Sequence, residues 1–231
     1  MTIKLVTFDL DDTLWDAGPI LRTAEQKQFT WLQKQLPDFH SRIDRDDMFR
    51  IRSNMLKDNP ELVHDLSQLR TGILAQALRE YGCDEQASLK LAGLAFDVFL
   101  EARHDVVFYE HALELLKELS QTYILGALSN GNASIERLKL DKYFSFSYSS
   151  ATVGARKPAP DMFLAAMHEA NVEPGEMVHI GDHPIDDVQG AAMLGIHCIW
   201  LNLVGREQPG PDLAYREIRH LGEVTGLLNS F

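Results

Sequence analysis

Cysteine is almost missing from this chain of 231 residues: Cys83 and Cys198 stand far apart, and neither has a C-x-x-C partner. That excludes a disulfide framework and predicts a reduced intracellular compartment, with both thiols as packing residues. Positive charge is scarce as well. Lys and Arg number 22 against 34 Asp and Glu, a net charge of −12, which repels a nucleic-acid backbone or an anionic membrane at long range and excludes both as main partners. The same charge repels an anionic metabolite, so a site for one must be made locally positive by a metal and one or two bases. No run of 18 apolar residues supplies a membrane helix, and no basic segment followed by an apolar stretch opens the sequence, which predicts a cytoplasmic protein. Internal repeats and low-complexity tracts are missing too. What is present is a 45% hydrophobic content, enough for one large domain or a core carrying an insertion.

The stretch around which the rest is organised is Ile3-Lys4-Leu5-Val6-Thr7-Phe8-Asp9-Leu10-Asp11-Asp12-Thr13-Leu14. Ile3, Leu5, Val6 and Phe8 suit a short buried strand, and nothing in the run caps a helix. The strand delivers Asp9 to its own C-terminal tip, where open parallel sheets bind ligands. Asp9, Asp11 and Asp12 then crowd together. Two charges ~4 Å apart at a surface-like dielectric repel by roughly 4 kcal/mol, so the cluster needs a cation beside it or a proton on it. The expectation is a cation.

After this strand the periodicity is helical for most of the next ninety or so residues. Leu21, Phe29, Leu32 and Leu36 share an arc that Pro37 ends; Met48, Ile51 and Met55 make a second stripe. Leu62, Leu66, Leu69, Ile73, Ala77 and Tyr81, stopped by Gly82, make a third, and Ala87, Leu91, Leu94 and Val98 a fourth. Four amphipathic helices describe a small bundle. From Val106 the pattern alternates. A helix with Ala112, Leu115, Leu116 and Leu119 leads to a strand Tyr123–Leu128, then a helix around Ile135 and Leu138 and a strand near Phe146–Tyr148. A helix Asp161–Ala170, a strand Met177–Ile180, a helix Val188–Leu194 and a last strand His197–Leu201 follow. Such alternation implies a doubly wound, Rossmann-like parallel sheet, with residues 1–15 and 106–231 as an α/β core and 16–105 as a helical insertion.

Two later predicted strand tips and one loop carry chemistry as well. Ser129-Asn130-Gly131 offers a hydroxyl and backbone N–H groups, although the same tripeptide is ordinary turn chemistry. Lys157, between Arg156 and Pro158, sits in a loop that Pro158 and Pro160 stiffen. Gly181-Asp182-His183-Pro184-Ile185-Asp186-Asp187 ends another strand in acids. His179 alternates into the core and reads as a packed, hydrogen-bonded residue.

Asp9-Leu10-Asp11-Asp12-Thr13-Leu14 resembles the D-x-D-x-T first motif of the haloacid-dehalogenase-like (HAD) phosphohydrolases, and Ser129, Lys157 and Gly181–Asp187 resemble the second, third and fourth. The helical block resembles the four-helix-bundle cap that such enzymes carry between the first and second motifs. The resemblance implies a magnesium-dependent phosphatase working through an aspartyl-phosphate. Asp9 would be the nucleophile and Asp11 the acid and then the base. Dehalogenases of the superfamily lack that second aspartate, because halide leaves without a proton, so Asp11 points to a phosphoester. Ser129, Asn130 and Lys157 would hold the phosphoryl oxygens. Asp9, the carbonyl of Asp11 and Asp182 would hold Mg²⁺, with Asp187 as an indirect partner and Asp186 in reserve. Arg70, on the richest polar stretch of the insertion, is the candidate for a second phosphate or a flat ring.

The chain is most similar to bacterial members acting on flavin mononucleotide or on 5-amino-6-(5-phosphoribitylamino)uracil, which implies a small phosphorylated metabolite as partner of a monomer or homodimer. Neighbouring branches take nucleoside monophosphates or sugar phosphates. A phosphomutase would share the motifs. A non-enzymatic phosphate-sensing module would share the acids, hydroxyl and lysine, but the order of parts opposes it.

Overall fold

A computed structural model describes residues 2–207 and 213–231. The chain divides into two units, one of residues 1–17 with 106–231 and one of residues 18–105.

The second unit is helical. Its elements are α1 (Ala17–Gln35), the short α2 (Phe39–Arg42), α3 (Arg45–Asp58), α4 (Leu66–Tyr81) and α5 (Glu85–Arg103). Aspartates start three of them: Asp44 accepts from the N–H groups of Asp46 and Asp47, Asp65 from Gln68 and Asp84 from Ala87, each satisfying donors that a helix start leaves open. Gly82 ends α4 at φ 117°, a conformation that needs no Cβ.

Three details differ from the periodicity. Leu62 belongs to a separate 3₁₀ turn, Pro60–His64, where Pro60 interrupts the helical run. Phe29 is exposed and stacks on His40, with ring centroids 3.6 Å apart. On α5 the buried face is Ser88, Ala92, Ala95, Phe99 and Ala102, while Leu94 faces solvent. Small residues on that face let α5 lie close against Leu74, Ala77 and Leu78 of α4, and close packing outweighs the larger transfer energy of a leucine placed further out.

The first unit is a parallel sheet. Its strands are β1 (Leu5–Phe8), β2 (Ile124–Ser129), β3 (Phe146–Ser149), β4 (Met177–Gly181), β5 (His197–Leu201) and β6 (Arg216–Ile218), in the order β3-β2-β1-β4-β5-β6. Leu5 lies opposite Ile124 on one side and Met177 on the other. Wholly buried, β1 and β4 are apolar almost throughout, as central parallel strands are. The chain steps from β1 outward to β3, then crosses back to β4 and proceeds the other way. The C-terminal tips of β1 and β4 therefore flank the switch point where a crevice opens.

The connecting helices are α6 (Ala112–Leu119), α7 (Ser150–Val153), α8 (Asp161–Ala170), α9 (Gly190–Ala192) and α10 (Val224–Leu228). Met162, Phe163 and Ala166 of α8 join Leu5, Leu128, Met177 and Trp200 in the core beside the sheet. The helix expected around Ile135 is a series of turns, with Lys139 at φ 57°. The one expected over Val188–Leu194 is instead a π-helical turn, Pro184–Gln189, running into α9; such wide turns recur at functional sites, and this one carries Asp187. The strand β6 and the helices α7 and α10 had no signal strong enough to predict them.

Candidate active site

Asp9 is the first residue beyond β1, and its N–H donates to Ile180 of β4, 2.8 Å away. Asp182 is the first beyond β4, Ser129 the last of β2. Lys157 enters from the loop between α7 and α8. Its ammonium donates to Asp9 Oδ1 (2.8 Å), Asp187 Oδ1 (2.5 Å) and the carbonyl of Leu128 (2.6 Å), so all three protons are committed and the lysine is 2% exposed. Thr13 Oγ1 lies 3.4 Å from both Asp9 Oδ2 and Asp182 Oδ1. The tips of three strands and two loops thus converge on one spot.

Asp187 receives His179 Nε2 at 3.0 Å on Oδ1 and the N–H of His183 at 2.9 Å on Oδ2, besides Lys157. An ionised carboxylate only accepts, so His179 donates from Nε2 and its Nδ1 accepts from Thr7 Oγ1, 2.9 Å away. Gly181 is part of the same fit. A Cβ there would fall 2.2 Å from Asp187 Cγ, so no other residue leaves room for that carboxylate.

Burial raises the Asp9 pKa well above the ordinary carboxylate range; Lys157 opposes this, and Asp187 and Asp182 add to it. Asp182 is pushed up to about 7, first by burial and then by Asp187, with Arg206 opposing. Burial would also raise Asp187, but Lys157 and His179 override it and hold the carboxyl well below the usual range. The ammonium of Lys157 resists the downward pull of its own burial because Asp187 and Asp9 hold it charged, while burial keeps His179 neutral. One ammonium therefore faces more negative charge than it can balance.

Carboxylate oxygens of Asp9, Asp182 and Asp187 lie within 4.8 Å of one another. The donor set is hard oxygen, the kind that Mg²⁺, Mn²⁺ or Ca²⁺ take and that softer ions do not prefer. The surplus charge fits a divalent cation. Asp187, already accepting three hydrogen bonds, is the anchor of Lys157 in this arrangement.

The other candidates are placed as follows. Asp11 Oδ1 accepts from Trp15 Nε1 at 3.0 Å, and Trp15 is itself fixed edge-on to Phe108, so the indole steers that carboxylate. The side chain of Asn130 does not reach outward: it bonds both the N–H and the carbonyl of Lys157 (2.8 and 3.0 Å) and Asp186 Oδ2 (3.0 Å). It clamps the lysine loop to the tip of β2. The N–H of Gly131 goes to Ser129 Oγ at 3.0 Å. Within the helical unit, Arg70 pairs with Glu25 at 3.1 Å and stacks on Phe99. Both cysteines are free thiols, Cys198 in the core and Cys83 partly covered.

Sequence reasoning missed Arg206. Its guanidinium donates to Asp182 Oδ2 (2.9 Å) and to the Asp182 carbonyl (3.1 Å), held there by Asn202, which bonds the Arg206 N–H and carbonyl. Arg206, Asn202, Asp182, Asp12, Asp16 and Tyr109 line a cavity of about 250 Å³. Asn202 follows β5 directly, so the strand-tip rule that located Asp9 and Asp182 was the available signal. Asp12, at φ 61°, accepts from the N–H of Ala17 and so starts α1.

A family model described as haloacid dehalogenase-like hydrolase matches residues 3–195. The 5-amino-6-(5-phospho-D-ribitylamino)uracil phosphatase YigB of Escherichia coli K12 is 32% identical over 199 residues, 86% of this chain and 83% of that protein. The phosphoserine phosphatase of Thermus thermophilus is 30% identical over 66% of this chain and 63% of its own. A crystal structure of a 2-haloacid dehalogenase from Pseudomonas syringae pv. Tomato DC3000 superposes with a TM-score of 0.96 at 38% identity, covering 99% of each chain. Among the described residues no helix is long and apolar enough to cross a membrane.

Proposed function

The chain belongs to the haloacid dehalogenase-like hydrolases and is a phosphatase, and from that footing we propose that it hydrolyses a small phosphomonoester through an aspartyl-phosphate on Asp9. The carrying observation is the buried contact of Lys157 with Asp9 at 2.8 Å. In the first step an Asp9 oxygen bonds phosphorus as the bond to the ester oxygen breaks, and Asp11, oriented by Trp15, gives that oxygen a proton. In the second, Asp11 takes a proton from water, whose oxygen displaces Asp9 and frees inorganic phosphate. Lys157, Ser129 Oγ and the backbone N–H of Asn130 offset the charge that gathers on the equatorial oxygens. Asp9, Asp182 and the carbonyl of Asp11 would hold Mg²⁺, which supplies charge neutralisation when bound. The 18–105 unit is the cap, and Arg70 its candidate substrate contact once released from Glu25.

Dehalogenation is the second reading, favoured by the Pseudomonas structure's likeness. Asp11 opposes it: halide needs no proton, and an acid two residues beyond the nucleophile would be idle. A screen of phosphorylated metabolites with Mg²⁺, beside 2-chloropropionate, separates the two. The expected result is phosphate release, fastest from ribityl phosphates such as 5-amino-6-(5-phospho-D-ribitylamino)uracil or flavin mononucleotide. Chloride release without phosphate release from any ester would overturn it.

A pH dependence follows from Asp182. Because its folded pKa of about 7 exceeds the ordinary 3.8, the fold favours its proton, and that stabilising contribution of a few kcal/mol is lost as pH rises from about 4 to about 7. A cation competes with the same proton. Apparent Mg²⁺ affinity should therefore fall by up to about tenfold per pH unit below 7 and level off above 8. Calorimetric titration at pH 5.5 and 8 checks this, and equal affinities at both would refute the role of Asp182.

A further inference from the structure

Outside the cleft, Glu110, His111 and His220 present ligand atoms within 4.8 Å of one another at the surface of the sheet unit. The Nε2 of His111 lies 3.6 Å from Glu110 Oε1, that of His220 3.9 Å from Glu110 Oε2, and the two rings meet edge-on, with centroids 4.9 Å apart and planes at 61°.

Two features of the backbone build this arrangement. His111 sits at φ 66°, a left-handed conformation uncommon for a residue with a Cβ, and it turns the imidazole toward His220. The N–H of Gly222 donates to His220 Nδ1 at 3.1 Å, which fixes Nδ1 as the acceptor and directs Nε2 to the cluster; a Cβ at Gly222 would meet that ring at 2.9 Å.

From this geometry we infer that Glu110, His111 and His220 form a second metal site, one for a zinc-like cation. Two imidazoles and a carboxylate suit Zn²⁺, Co²⁺ or Ni²⁺ where the all-oxygen cleft suits Mg²⁺. Two donors on a tetrahedral zinc stand about 3.4 Å apart at bonds of about 2.1 Å, so the observed spacings need only small side-chain rotations to close. Water completes the shell on the open side. The ion ties the start of α6 to the segment before α10, one residue from Tyr109 in the cavity wall.

The test is calorimetric titration of the full chain with Zn²⁺ under millimolar Mg²⁺, added to compete for the acidic cleft. The expected result is one zinc per chain, bound at least tenfold more weakly by His111→Asn and by His220→Asn, with zinc-free, Mg²⁺-dependent phosphate release unchanged in both. Asparagine tolerates the left-handed φ and can accept from Gly222, so both variants keep the local fold. Co²⁺ gives an independent readout: tetrahedral visible bands in the wild type, lost in the variants. Zinc affinity and stoichiometry identical in all three proteins, or no uptake below about 100 µM, would overturn the site.

Discussion

Asp9→Asn is expected to abolish phosphate release, by at least about 10³-fold, while leaving the fold intact or firmer. The amide has the shape of a protonated carboxyl but cannot attack phosphorus. It also removes a charge that the site tolerates poorly: burial, with Asp187 and Asp182 close by, holds the Asp9 pKa well above its usual value, so a neutral isostere relieves repulsion at pH 7. Acid-quenched protein should carry ³²P from substrate in the wild type and none in the variant, while the thermal midpoint of the variant is equal or higher. A variant retaining a tenth of the wild-type rate would place the nucleophile elsewhere.

Lys157→Met should do the opposite to stability, costing about 3–5 kcal/mol, and should also lower turnover about 10³-fold or more. Methionine fills the volume of the lysine stem but leaves the oxygens of Asp9 and Asp187, now at 2.8 and 2.5 Å from the ammonium, buried with no counter-charge. The loss comes from the stranded partners. Lys157→Met with Asp187→Asn should therefore recover part of the stability and none of the activity, a separation that urea unfolding and phosphate release measure together. If the single variant unfolds at the wild-type urea concentration, the ammonium is not the counter-charge inferred here.

The acids were legible because strand tips are. An apolar run ending in Asp9, and another ending in Gly181-Asp182, each announce a buried strand and its carboxyl end by composition alone, and the parallel topology then brings them together. Lys157 was legible by motif. What tertiary contact decides was not: the backbone N–H of Asn130 could be read from its place after a strand, but that its side chain clamps Lys157, twenty-seven residues onward, could not. Arg206 sits in a loop of no distinctive pattern, and its value comes wholly from Asn202 holding it against Asp182. The face of α5 was misjudged for a similar reason. Periodicity ranks leucine above alanine, whereas the neighbouring helix selects for closeness. At Pro184–Gln189 the helical signal was present, but the wide turn answers to the hydrogen bonds of Asp187, which no local propensity records.

The central position of β1 has a consequence for biosynthesis. Leu5 finds its two neighbours only in Ile124 and Met177, so on the ribosome the first strand emerges long before either partner exists. The 18–105 unit has a core of its own, complete before either partner strand is made, and is free to condense meanwhile. The apolar start of the nascent chain waits through that interval for β2 and β4, and closure of the sheet over so long an intervening loop is the slow, aggregation-exposed step of maturation.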